Sequence, residues 1–456
     1  MIVMKFGGTS VEDATAINRV AEIVRSRLPL RPYVIVSAMA KVTDGLIAMS
    51  KAAGCGDRET ALSMSRALRE RHYTAAADLL HTGVFTDFHA ELQREFDALD
   101  ELLMGICAVG ELTPRTTDAV VSYGERLSSK LVTAAFKQRD IPAMLVDARD
   151  LLITDGQHTR AVPQMDEINV RLNTQIKPAV DSHVPVMGGF IGATRDRVPT
   201  TIGRGGSDYS AAIVGAALNA ERIEIWTDVD GMKTTDPNLC PDAHRIKVIS
   251  FEEAAELAYF GAKVLHPATV LPAIQKNIPV LVLNSRNPSN EGTTIVSRAP
   301  KCRNVIKAIA AKKRITIVDV VATRMLGAHG FLRAIFEVFD RHRCAVDVVS
   351  TSEVSVSLTV DSNEAIPAIA ADLAPLADVK YEGRKAIVCL VGENIRGTSG
   401  IAAQVFSPIS DINVRMISQG ASEINITFVV EERDVPEAVR RLHECFFRDV
   451  DPEVFE

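Results

Sequence analysis

Short apolar, β-rich runs recur through the first 295 residues, and helical patterns separate them. The clearest are Ile2–Phe6, Tyr33–Ser37, Pro142–Val146, Val184–Met187, Ile223–Thr227 and Ile278–Leu283. Several are nearly continuous in apolar character. A sheet with one wet face would alternate apolar and polar residues, so unbroken runs indicate strands buried on both faces. Strand–helix alternation of this kind predicts an α/β domain built on a mainly parallel sheet sandwiched by helices.

Two stretches depart from that pattern. Residues from about 50 to 115 are rich in Ala, Leu, Arg and Glu with helical periodicity, and they read as a helical insertion. After the polar, turn-rich segment Ser285–Pro300, a linker or edge connection, the order β-α-β-β-α occurs twice. Each copy spans roughly 70 residues and resembles a ferredoxin-like sandwich, which suits a paired regulatory module. The expected boundaries are 1–295, a connection at 296–314, then 315–384 and 385–456. A strand at Val305–Ala310 fits either copy.

Bulk properties narrow the function class. The net charge of −7 in 456 residues argues against a dedicated nucleic-acid binder. Seven cysteines without C-x-x-C spacing suit a reducing compartment rather than a disulfide framework. No apolar run reaches membrane-spanning length, and no secretory leader pattern opens the chain, so the expected location is cytoplasmic.

Two glycine-rich strand-to-helix turns carry the chemistry. In KFGGTSV (5–11), Gly7 and Gly8 let backbone N–H groups approach a ligand, and Lys5 adds a charge. A helix expected to start at Ser10, with Asp13 three residues on, would add the positive end of its dipole. The pattern is neither of the common phosphate-loop signatures, so a bare turn with an incidental lysine remains open. In TTIGRGGSDYSAA (200–212), Gly203, Gly205 and Gly206 flank Arg204, which can clamp an anion through paired hydrogen bonds. Asp208 there could simply cap the following helix. Both turns would converge at the C-terminal edge of a parallel sheet, where open α/β sheets bind ligands. Asp228, Asp230 and Asp236 lack the spacing of a calcium loop. Lys263, in FGAKVLHP, reads as a helix-end lysine or a nucleotide contact, and His266 as structural. A helix over about 117–138 keeps Glu125 off its apolar stripe.

These motifs, with SYGERLSS (122–129), GGFIG (188–192), WTDVDG (226–231) and FGAKVLHPAT (260–269), resemble in order those of the aspartate kinases, members of the amino-acid-kinase superfamily. The tail resembles that family's two ACT regulatory domains. The likeness is to the monofunctional form, since no dinucleotide-binding fingerprint of a fused homoserine dehydrogenase is present. It implies transfer of a phosphoryl group from ATP with Mg2+ to the side chain of L-aspartate. That is the first step of lysine, threonine and methionine biosynthesis. A carboxylate nucleophile is already ionised at pH 7, so no general base is needed.

By the same resemblance, Lys5 meets the transferring phosphate and Asp208 orients it. Gly7, Gly8, Thr9, Gly205, Gly206, Thr227, Asp228 and Lys263 border the nucleotide. Arg204 clamps a carboxylate of aspartate and Glu125 takes its α-ammonium, while Ser37, Thr43, Phe190 and Ser207 complete the substrate pocket. The resemblance assigns no protein ligand to the metal. Lys233 and Asn238 depart from the tyrosine and arginine that many relatives carry in their turn.

In the first ACT unit, MLGAHGFL (325–332) and VDVVSTSEVS (346–355) resemble the effector loops of lysine-inhibited relatives. Carried over, Met325, Gly330, Phe331, Leu332, Asp347, Thr351, Ser352 and Glu353 line an amino-acid effector site. The two acids favour lysine. Gly327 and Ala328 replace bulkier residues of the lysine-sensitive relatives, which leaves threonine open. Pairing of ACT domains implies a homodimer or homotetramer, with no nucleic-acid or membrane partner. Two alternatives stand beside this reading: another carboxylate kinase of the superfamily, and an amino-acid sensor with an inactive kinase domain.

Overall fold

The computed structural model describes residues 1–203, 205–261, 267–322 and 329–456, with the side chains at 267 and 268 outside the description. The chain divides into two compact units. One comprises Met1–Gly231 with Val264–Arg298, the other Met232–Lys263 with Ala299–Glu456.

The first unit holds β1 (Ile2–Phe6), β2 (Pro32–Val36), β3 (Ala143–Val146), β4 (Val184–Gly188), a hairpin of β5 (Ile191–Ala193) and β6 (Pro199–Thr201), and β7 (Ile223–Thr227). After β8 (Val248–Ser250) in the other unit come β9 (Val280–Asn284) and β10 (Thr293–Val296). Its main sheet runs β3-β4-β2-β1-β7-β9-β10, parallel from β3 to β9. All five residues of β2 and of β4 are buried, as strands covered on both faces must be. The turn-rich segment after Leu283 is not a bare linker, because β10 lies within it and pairs antiparallel with β9.

Helices α1 (Ala14–Arg27), α2 (Val42–Gly54), α3 (Arg58–Leu79), α4 (Thr82–Val109), α5 (Pro114–Val121) and α6 (Tyr123–Lys137) follow. The stretch expected as a helical insertion holds the end of α2 with α3 and α4, and Leu92, Phe96, Leu99 and Leu103 of α4 join the same core as β1 and β2. Two local expectations are corrected. Ser10 does not cap α1; it lies in a 3-10 turn over Gly8–Val11, and the Asp13 side chain caps by accepting from Ala16 N–H at 2.8 Å. The helix expected over 117–138 is interrupted at Ser122, whose hydroxyl bonds back to Ala119 C=O.

In the second unit one six-stranded antiparallel sheet has the order β12-β13-β11-β14-β16-β15. Its members are β11 (Ile306–Val321), β12 (Val346–Thr351), β13 (Ser355–Asp361), β14 (Asp378–Gly392), β15 (Met416–Gln419) and β16 (Asn425–Glu431). Strands β11 and β14 run through both ferredoxin-like lobes. The first half of β11, up to Lys312, pairs with β14 from Ile387 to Gly392, and the second half pairs with β13 and the start of β14. The strand that fitted either copy therefore belongs to the second. Residues 232–263, inside the stretch assigned above to the first domain, are compact with this unit. Their helix Phe251–Tyr259 starts with a Ser250–Glu253 capping box, a spacing that the sequence itself displays. Glu253 also meets Lys307 of β11 at 2.8 Å, with both side chains almost wholly buried.

Candidate functional site

The site lies at the C-terminal ends of β1, β2 and β4. Strand β1 sits between β2 and β7, so Lys5 is placed beside Ile35 and Ile225 in the middle of the sheet. Three turns leave these strand ends and surround a cleft of about 340 Å³. They contribute Lys5 and Gly8, then Ser37 to Lys41 with Thr43 and Asp44, then Phe190. The second glycine turn adds Gly203, Gly205, Gly206, Ser207 and Asp208 to the lining, and α6 adds Glu125.

Lys5 Nζ and Asp208 Oδ1 are 2.6 Å apart, with only 11% and 14% of their side chains exposed. Asp208 is thus an ion-pair partner rather than a helix cap; the N-cap of helix Gly206–Leu218 is Gly205, and no side chain caps it. Gly205 adopts φ 71°, a left-handed conformation that disfavours a Cβ. The two glycines of KFGG part company. Gly7 N–H is spent on Trp226 C=O at 3.0 Å, so it is not free for phosphate as expected. Gly8 opens the 3-10 turn, where first N–H groups lack a partner within the turn. A Cβ on Gly8 would lie 2.9 Å from Ala38 O, so only glycine lets these two loops meet.

Glu125 is the unmatched acid. Its Oε1 accepts from Ala38 N–H at 3.2 Å, whereas Oε2 is buried without a hydrogen-bond partner among the described residues. Burial pushes its pKa up to about 8, against the opposing effect of the Ala38 N–H. A cation entering the cleft would find this carboxylate desolvated and unmatched. Glycine keeps the surroundings close, since a Cβ on Gly188 would approach Glu125 Cβ to 2.9 Å.

Phe190 holds φ 61°, unusual for a residue with a side chain. Ser210 secures it. Its hydroxyl accepts from Phe190 N–H at 3.0 Å and donates to Gly206 C=O at 2.9 Å, tying GGFIG to the second glycine turn. Sequence reasoning passed over Ser210, although its position four residues after Gly206 is a recognisable back-bonding spacing. It also passed over Lys41, Asp44 and Met39, all in the lining.

Of the expected site residues, Lys5, Gly8, Ser37, Thr43, Glu125, Phe190, Gly205, Gly206, Ser207 and Asp208 share the cleft. Gly7, Thr9, Thr227 and Asp228 are not in its lining; Thr227 ends β7 and its hydroxyl donates to the Asp228 carboxylate at 3.2 Å. Arg204, Lys263, His266 and Met325, with Gly327 and Ala328, lie outside the described residues.

In the second unit, Gly330 (φ 82°) precedes helix Phe331–Arg341 as its N-cap. Leu332 is exposed, whereas Phe331 packs against the lobe's core. Thr351, Ser352 and Glu353 are exposed at the end of β12 and the turn after it. Asp347 is already neutralised. Its carboxylate accepts from Lys312 Nζ at 3.0 and 2.9 Å and from Tyr259 Oη at 2.9 Å. Burial lowers the Lys312 pKa, but the hydrogen bonds and charges of Asp347 and Asp361 outweigh it and hold the ammonium above its ordinary value.

Among the described residues no helix is long and apolar enough to cross a membrane.

Comparison with known proteins places these features in a family. Residues 1–284 match the model of the amino acid kinase family, and residues 388–446 match an ACT domain. Aspartokinase 2, chloroplastic, of Arabidopsis thaliana is 39% identical, over 99% of this chain and 85% of its own. Lysine-sensitive aspartokinase 3 of Escherichia coli is 36% identical, over 98% of this chain and 99% of its own. Among solved structures, E. coli aspartokinase III in complex with aspartate and ADP superposes with a TM-score of 0.85 at 35% identity, covering 98% of this chain and 100% of that one. The same enzyme in complex with lysine and aspartate gives the same score.

Proposed function

The chain belongs to the amino acid kinase family, and from its likeness to aspartokinases we propose that its cleft transfers the γ-phosphoryl group of ATP to the side-chain carboxylate of L-aspartate. A carboxylate oxygen forms the new bond to phosphorus, the bond to the ADP oxygen breaks, and 4-phospho-L-aspartate leaves. The observation that carries the reading is the pairing, in one cleft, of a lysine beside a glycine turn with a buried, unmatched glutamate. The first suits a phosphate and the second an α-ammonium.

Bringing one anion to another is the obstacle, so catalysis rests on positioning and charge neutralisation. Lys5 is held at the mouth of β1 by Asp208 and would meet the transferring group. Glu125 would fix the α-ammonium, with Ser37, Thr43, Phe190 and Ser207 around it, and Arg204 is proposed for a carboxylate. Magnesium ligands are oxygens, and the ion retains several waters. The carboxylates of Asp44 and Asp208 in the lining suit an ion delivered on the nucleotide phosphates. Bound there, the ion would offset phosphate charge.

Regulation by an end-product amino acid is proposed for the C-terminal unit, with lysine favoured by Asp347 and Glu353 and by the lysine-sensitive relative. An incoming ammonium would have to take the place of Lys312 at Asp347. The ACT lobes are proposed to pair subunits into a homodimer or homotetramer.

ADP release measured with aspartate, glutamate and acetylglutamate tests the activity. Turnover with aspartate alone is expected, and Lys5→Ala should lower it about 10³-fold or more while the melting temperature stays close to wild type. Turnover with a different acceptor only, or with none, would overturn the reading. Inhibition by lysine and by threonine, titrated separately, tests the effector.

A further inference from the structure

We propose that Arg71, in the helical insertion, is a positioning residue that clamps together the two loops forming the Lys5 side of the cleft. Its guanidinium bridges their backbones. Nη1 donates to Ala40 C=O at 2.6 Å and Nη2 donates to Glu12 C=O at 3.0 Å. Ala40 belongs to the loop between β2 and α2, and Glu12 closes the turn that follows β1. The loops meet directly only at close quarters: Ala40 N–H donates to Gly8 C=O at 3.1 Å, at the point where Gly8 has no room for a Cβ.

A second observation shows that this contact needs holding. Lys41, next to Ala40, sits at φ 66°, ψ 0°. A residue with a Cβ keeps that conformation only where its surroundings over-determine it. An arginine suits the task. Its donors form a rigid fork that reaches two acceptors at once, and it does not lose its charge. Docking α3 does not need the arginine, because Ala61, Ala75, Ala76 and Leu79 already bury the helix's apolar face in the core. The fork is thus free to act on the loops, and through them on Gly8, Ala40 and Lys41 in the lining.

The inference rests on reading this cleft as a phosphoryl-transfer site, so its test has a readout that needs no activity. Two full-length variants serve. Arg71→Met keeps the stem's packing but removes every donor, and Arg71→Lys keeps the charge but not the fork. Amide hydrogen exchange at Ser10, Ala40 and Val42, each hydrogen-bonded in the native loops, should quicken about tenfold or more in Arg71→Met, with β2 and β4 unchanged. In aspartate-dependent ADP release, kcat should fall about 10- to 100-fold, with Arg71→Lys in between. Unchanged exchange at those amides would overturn the clamp. So would exchange that rises throughout the unit, which marks a merely structural role, or quickened loops with wild-type kcat. If Arg71→Met does not fold, the same exchange readout on Arg71→Lys decides. If wild type releases no ADP with aspartate, the reaction assignment falls and loop exchange alone judges the clamp.

Discussion

Glu125 and Asp347 are both acids expected to receive the ammonium group of an amino acid, and they stand in opposite electrostatic situations. Glu125 is buried with one oxygen unmatched and its pKa pushed up to about 8. Asp347 is equally secluded, with 5% of its side chain exposed, but a lysine of its own chain and a tyrosine hydroxyl already serve it. A buried carboxylate without a counter-charge gains the full interaction when a cation arrives. A matched one gains only the difference between two cations. On the proposed roles, the cleft at Glu125 is preorganised for an ammonium, whereas an ammonium arriving at Asp347 must first displace Lys312. Tyr259, the other partner of Asp347, ends helix Phe251–Tyr259, so that release would be felt at the end of this helix.

The largest effect should come from removing the unmatched acid. Glu125→Gln is expected to raise the KM for aspartate about 100-fold, the scale for losing one partner of a buried charge pair, with little change in the KM for ATP. An unchanged KM for aspartate would remove Glu125 from the ammonium site.

The pH dependence sharpens the same point. Free Glu125 is largely protonated below pH 8, and an ammonium partner favours its ionised form. The KM for aspartate should therefore fall by up to about tenfold per unit as pH rises from 6 to 8, then level off. Stability runs the other way. The folded pKa is raised above the unfolded value of 4.5, so the folded state binds the extra proton between pH 4.5 and about 8. The contribution is fully present below pH 4.5 and lost as pH rises toward 8. Ligand-free wild type should accordingly lose melting temperature relative to Glu125→Gln across that window.

Asp347 offers a smaller test. Lys312→Met removes the internal cation, and half-inhibition by lysine should then need about fivefold less effector, at the lower end of allosteric couplings. An unchanged requirement would mean that Lys312 does not compete with the effector.

The smallest change in activity is expected at a third buried acid. Asp118 is 1% exposed and accepts from Thr201 Oγ1 at 2.6 Å, from Thr159 N–H at 2.9 Å and from the His158 ring at 3.0 Å. Its needs are met inside the fold. Asp118→Asn should cost about 1–3 kcal/mol in denaturant unfolding by turning one acceptor into a donor, with KM for aspartate within a few-fold of wild type.

Much of this was legible in the chain. The six apolar runs became the parallel strands, and in all but the edge strand β3, where Leu145 is exposed, their residues are buried nearly throughout, as the unbroken apolar pattern, a local property, requires. The Ser250–Glu253 capping box was equally readable, since it depends on a three-residue spacing. Asp13 could also have been seen as a cap, but Ser10 looked the same in sequence. Ser10 is diverted by a partner 275 residues away, the hydroxyl of Ser285 at 2.8 Å. Gly7 illustrates the reverse: the glycine-rich turn suggested a free N–H, and Trp226 C=O on the neighbouring strand took it.

The sequence by itself determined the α/β character, the doubled C-terminal lobes and the set of charged and glycine residues that the chemistry needs. Those follow from periodicity and residue type, which act over a few neighbours. Only the tertiary structure decided which charges are matched. Glu125 keeps a bare oxygen because α6 presses it against Ala38 and Gly188 with no ion-pair partner among the described residues, and Asp347 has a cation because β11 lays Lys312 beside it. A charge's partner is set by distance in space, and its cost by the water excluded around it. Neither quantity is written in the order of the residues.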